Sequence, residues 1–102
     1  MYRGTTPTIT LALDTELPLE NLAELWVTFK GSTVEITKEL NDSEVEVDSE
    51  HKKIIVSLSQ QETLQLYNGK CEVQVRFRIG ELAYASTIAK IDIERILKEG
   101  VI

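Results

Sequence analysis

Five carboxylates, Asp42, Glu44, Glu46, Asp48 and Glu50, recur at every second position of one short stretch. Clustered carboxylates are the donor set of a hard cation such as calcium. Alternate side chains of a strand share a face, so this spacing predicts a single acidic ladder. Neighbours on that face stand about 7 Å apart, too far for several to close on one ion unaided. The stretch also lacks the Gly and terminal Glu of an EF-hand loop. A solvated sheet edge whose charge discourages strand-to-strand association fits better, with Glu44 and Glu46 as candidates for contact with a basic partner. No metal site is expected.

Other residues able to do chemistry are few. Trp26 falls on the outward parity of its strand and is a candidate interface anchor, unless the N-terminal segment or a later turn covers it. Arg76 and Arg78 lie two apart on another outward face, near Tyr84 in the favoured register. They suit an anion, or pairing with Glu24, Glu35 or the acidic ladder and stacking on Tyr84. Cys71 sits on apolar parity and reads as an inert core thiol. The single histidine, His51, lies in a charged turn with no motif-fixed orienting group, and is expected in solvent. No nucleophile elbow, phosphate loop or Cys/His metal spacing occurs. The expectation is a protein with no cofactor and no enzymatic activity.

Composition narrows the class further. A chain of 102 residues with 42% apolar content suits one domain, residues 1–102, with a single core. One cysteine excludes an intrachain disulfide and favours a reducing compartment. The formal charge of −6 argues against nucleic acid, whose binders carry a basic footprint. No apolar run approaches the roughly 18 residues of a membrane span, and the start has no apolar signal-peptide stretch. The charge is uneven. Residues 1–51 hold three basic and 11 acidic groups, net −8, whereas residues 52–102 hold eight basic and six acidic, net +2. The surface is therefore patterned, not uniformly acidic.

The elements that must position these groups show a period of two. Ile9, Leu11 and Leu13 alternate with polar or small residues, as do Leu25, Val27 and Phe29. Gly31-Ser32 predicts a two-residue hairpin loop that pairs Phe29 with Val34 and Val27 with Ile36. Lys38, then opposite Leu25, is the one misfit. A short strand around Val45 and Val47 follows, then a β-branched central strand, Lys53–Leu58. Ser59 and Glu62 form a capping box that opens one helical turn between sheets, and Asn68-Gly69 stops it. Cys71, Val73, Val75, Phe77 and Ile79 define the cleanest strand. A three-residue loop after it would oppose Cys71 with Ile91 and Glu72 with Lys90. The tail, 94–102, forms a short helical turn over Ile96 or Leu97, or frays. These elements predict an all-β fold, a two-sheet immunoglobulin-like β-sandwich of about seven strands with one short helical turn and no disulfide.

The opening Met1-Tyr2-Arg3-Gly4-Thr5-Thr6-Pro7-Thr8 resembles the start of a family of small prophage proteins of Gram-positive bacteria. Leu58–Leu64, Val73–Arg76, Ala85–Ile88 and Arg95–Ile102 extend the resemblance over nearly the whole chain. It implies a non-enzymatic phage structural or accessory protein, tail- or baseplate-associated, in the virion or the host cytoplasm. Its partners would be other phage structural proteins or copies of itself, without nucleic acid or membrane. Thr5-Thr6-Pro7-Thr8 would then be an arm that pairs with a neighbour. The alternatives are a carbohydrate- or cell-surface-binding sandwich module, and a regulator of a host protein.

Overall fold

The computed structural model describes residues 1–66 and 69–102. Among these residues eight strands run in chain order: β1 Thr8–Ala12, β2 Leu22–Lys30, β3 Glu35–Glu39, β4 Val45–Asp48, β5 Lys53–Ser57, β6 Gly69–Ile79, β7 Leu82–Ala85 and β8 Ala89–Ile93. They form two antiparallel sheets, ordered β1-β5-β4 and β3-β2-β6-β7, with β8 pairing the other end of β6. Because β7 and β8 share one flank of β6, the eight segments fill seven strand positions. The order matches that of an immunoglobulin-type sandwich from its second strand onward. β5 is the central strand of its sheet, as its β-branched run predicts.

Period two places the core. Leu25, Val27 and Phe29 of β2, Cys71, Val73 and Val75 of β6, and Ile54 and Val56 of β5 are all buried in one cluster. Each of these strands turns one face inward and leaves its other face to solvent. Leu19 joins them from a 3-10 turn, Leu19–Asn21, which the sequence reading did not anticipate.

The predicted helical turn is α1, Gln60–Gln65, linking β5 of one sheet to β6 of the other. Its capping box is complete. Ser59 Oγ accepts from the Glu62 amide, and Glu62 Oε1 accepts from the Ser59 amide at 2.9 Å. Asn68 of the expected stop lies outside the described residues. Gly69 has φ +125°, a conformation that side-chain-bearing residues rarely adopt.

Several local expectations require correction. The β2–β3 loop has four residues, not two: Lys30 faces Glu35, Phe29 faces Ile36 and Val27 faces Lys38. The Gly31 amide donates to the Val34 carbonyl at 2.9 Å and closes the wider loop. A shift of two residues preserves every face, so the apolar pattern could not distinguish the two registers. The β6–β7 hairpin has the two-residue loop Gly80-Glu81, with Gly80 at φ +60°. Tyr84 therefore opposes Phe77 instead of Arg78. Between β7 and β8 the register slips by one, so Cys71 does face Ile91 and Glu72 does face Lys90.

The N-terminal arm is also built in. The Pro7 carbonyl accepts from the Leu58 amide, and Thr8–Ala12 pairs with β5 along its length. Arg3 is buried, with its guanidinium on Glu99 at 2.6 Å and on the Leu64 carbonyl at 2.5 Å. The tail forms no helix. Ile96 is half-buried, Leu97 is exposed, and Ile102 exchanges two hydrogen bonds with the Gln60 side chain. The segment thus straps α1 from outside.

Candidate functional site

β2 and β6 are the two central strands of the larger sheet, and their pairing sets Trp26 directly opposite Arg76. Both side chains alternate away from the core, because Leu25, Val27, Val75 and Phe77 take the inward positions. Trp26 keeps 42% of its surface exposed. The Arg76 guanidinium lies over its ring, 5.6 Å from the centroid. This cation–π contact holds two long side chains in one arrangement, so less rotamer entropy remains to be lost on docking. Among the described residues that line the surface beside the tryptophan, none belongs to the N-terminal segment or to α1. Emission from this single tryptophan is accordingly expected to be red-shifted and open to quenching by acrylamide in the isolated monomer. A blue-shifted, protected emission would contradict the exposure.

The Trp26–Arg76 pair borders two shallow depressions on this face. The smaller, about 170 Å³, is lined by Glu24, Arg78, Ala83 and Tyr84 as well as by the pair. Arg78 Nε stands 3.5 Å from a Glu24 carboxylate oxygen, and its guanidinium also donates to the Gly80 carbonyl. The larger, about 450 Å³, is lined by Thr28, Lys30, Glu35, Glu72, Gln74 and Ile88, among others. Ile88 is 54% exposed at its rim. The face therefore joins an aromatic centre to a mixed-charge rim, the composition of a protein-recognition patch.

The structure brings together Trp26, Arg76 and Arg78, as their parity predicts, and pairs Arg78 with Glu24. It corrects the stacking. Arg76 sits on Trp26, whereas Tyr84 stacks on Phe77 with ring centroids 5.4 Å apart. Tyr84 contributes only a flank of the smaller depression. Thr28, Lys30, Gln74 and Ile88 escaped the sequence reading. Outward parity on β2 and β6 was the available signal for the first three.

The acidic stretch is no single ladder. Only Glu46 and Asp48 lie within β4, an edge strand. Asp42 turns back to accept from the Glu39 amide at 2.8 Å. Asp48 accepts from the His51 amide and meets His51 Nδ1 at 2.9 Å. The histidine bond is the main cause that holds the Asp48 carboxyl below its usual range. His51 is exposed as expected, but it does have a carboxylate orienter. Among the described residues no group of acidic, His and Cys side chains is arranged to hold a metal. Glu44 and Glu46 stand apart from the Trp26 face. Glu44 instead lies 3.9 Å from the buried ammonium of Lys38.

Lys38 is the misfit of the sequence reading. It is 7% exposed, on the inward parity of β3. Its Nζ reaches Glu62 of the capping box at 2.7 Å. Burial pushes the Glu62 carboxyl up, but bonds from Lys38 and the Ser59 amide outweigh that and hold it below the usual range. This cluster joins the two sheets through α1 and does not touch the Trp26 face. Cys71 is fully buried, and burial pushes its thiol up, so it is poorly suited to act as a nucleophile. Among the described residues no helix is long and apolar enough to cross a membrane. The chain matches no protein-family model, no curated protein and no solved structure.

Proposed function

We propose that this protein is a non-enzymatic phage structural or accessory component that docks onto a protein partner through the outer face of its larger sheet. The observation that carries the docking part is Trp26, exposed at the centre of that face and pre-ordered by Arg76. Trp, Tyr and Arg are the side chains most often found to dominate interface energies. The mixed-charge rim of Lys30, Glu35, Glu72 and Arg78 suits a protein surface of mixed charge better than a polyanion. The phage part rests on the resemblance of the Arg3-Gly4-Thr5-Thr6-Pro7-Thr8 opening to prophage proteins. Within that opening Arg3 and Thr5 have structural work, since the Thr5 carbonyl accepts from Thr63 at 2.8 Å. Tail or baseplate assembly in the host cytoplasm, followed by retention in the virion, is the setting this role implies.

Carbohydrate binding is less well supported. A sugar platform presents an unobstructed aromatic face, and here a guanidinium already lies over the ring of the one exposed tryptophan. Mass spectrometry of purified particles from an induced lysogen tests the role. The protein is expected among the particle proteins in stoichiometric amount. Its absence there, with recovery on a host enzyme instead, would replace a virion role with a regulatory one.

A further inference from the structure

The sandwich is clasped on one side and open on the other. On the clasped side β3 turns directly into β4, and Lys38 ties β3 to α1 through Glu62. On the open side, among the described residues, β1 pairs only with β5, and β7 and β8 pair only with β6. An immunoglobulin-type sandwich carries one further strand against this edge, in the order A-B-E-D. No strand of the described residues takes that place beside β1.

The edge itself is shaped for a strand. Leu13 donates to the Lys52 carbonyl, and the Pro7 carbonyl accepts from Leu58. The odd residues of β1 therefore bond toward β5. The N–H and C=O groups of Thr8, Thr10 and Ala12 must then point to the free edge. Proteins usually protect such an edge with charge. β3 carries Glu35, Lys38 and Glu39, β4 carries Glu46 and Asp48, and β8 carries Lys90 and Asp92. β1 reads Thr-Ile-Thr-Leu-Ala and carries none. β7 is also uncharged, but it is shorter and by the same parity offers only Ala83 and Ala85 to its free edge. Beside β1 the seam between the sheets opens as two grooves of about 190 and 380 Å³, floored by Leu11, Leu13, Val75 and Phe77. Asp14 is the one charged residue that lines either groove.

We infer that a second copy of this chain covers the edge, β1 against β1 in antiparallel pairing about a twofold axis at Thr10. The strand is self-complementary around that residue. Thr10 faces its own copy, and Thr8 faces Ala12. Each such pair exchanges both backbone bonds, because all three residues point theirs outward. On the inner face Ile9 meets Leu11 of the second copy, which lays aliphatic side chains over the open seam and leaves the outer face to the threonines. The two smaller sheets become one sheet of six strands. This inference rests on β1 and the seam, and stands apart from the docking role of the Trp26 face.

Sedimentation velocity of the full chain over a dilution series tests it. The wild-type protein is expected to sediment as a dimer that dissociates on dilution. Thr10→Lys leaves the β5 bonds and the core intact but sets two ammonium groups opposite each other. It is expected to be monomeric with unchanged circular dichroism, and Thr10→Glu likewise. Mixing the two variants should restore a dimer containing one copy of each. Wild-type protein that stays monomeric throughout would overturn the inference and leave the edge to a strand of another protein. A dimer untouched by Thr10→Lys, or dispersed by Trp26→Ala instead, would overturn it by moving self-association to another face. Failure of the mixed variants to pair would overturn the twofold register.

Discussion

Replacing Glu62 by Ala is expected to destabilise the protein by about 3 kcal/mol, the order found when one partner of a buried ion pair is removed. Glu62 has two roles that are lost together. It accepts from the Ser59 amide and so completes the capping box of α1. It also pairs with the Lys38 ammonium at 2.7 Å. Without it the one ion-pair partner of the buried ammonium among the described residues is Glu44, at 3.9 Å and with about half of its side chain exposed. The reverse deletion is expected to cost far less. Lys38→Met keeps the length of the side chain and removes the more deeply buried charge, so the group left without its partner is the one that water still reaches. Glu62 retains a quarter of its side-chain surface in solvent, so it tolerates the loss of its cation. Urea unfolding of the two single variants and the double variant reads this asymmetry. The pair also sets an acid limit. Because the folded Glu62 carboxyl titrates below its ordinary 4.5, its contribution is fully present above that pH. It is lost as the pH falls through the folded value, and Glu62→Gln should flatten that part of the stability profile.

Phe29→Ala is expected to cost about 3–5 kcal/mol, a large share of the roughly 5–15 kcal/mol that holds a domain of this size. Phe29 is fully buried on β2 and is the largest of the fully buried side chains among the described residues. It faces Ile36 of β3 and Val73 of β6, so its removal opens a void between three strands. The void cannot close by a local shift, because β2 is fixed by pairing on both flanks. Thermal unfolding followed by circular dichroism should show a large fall in melting temperature. A change of only a few degrees would mean that the core repacks around the void.

The sequence shows which faces are buried more clearly than which residues meet. Parity follows from period two alone, so the inward set on β2 and β6 and the outward Trp26, Arg76 and Arg78 were all legible. Register was not. Moving β3 by two residues carries Ile36 from Val27 to Phe29 without changing a face, and only the backbone closure from Gly31 to Val34 selects between them. Where the error was one residue, as at Tyr84, a side chain moved to the other face and its stacking partner changed from Arg to Phe77. Lys38 looked like a misfit because its partner lies 24 residues further along, in the capping box. A lone lysine on apolar parity was the available signal for a buried pair. The acidic stretch misled for a related reason. Alternation predicts one ladder only if the whole stretch is extended, and Asp42 and Asp48 instead close turns at either end of a four-residue strand.

The docking role stands or falls on whether the Trp26 face is what holds the protein in an assembly. The direct measurement is the amount of protein retained in purified particles when an induced lysogen carries Trp26→Ala with Arg76→Ser, beside a control at the exposed Leu97. The paired variant, checked for an unchanged melting temperature, is expected to be lost from the particles, whereas Leu97→Ser is retained at the wild-type amount. Retention of the folded Trp26→Ala, Arg76→Ser protein at the wild-type amount would contradict the assignment of the outer face of the larger sheet as the surface that docks.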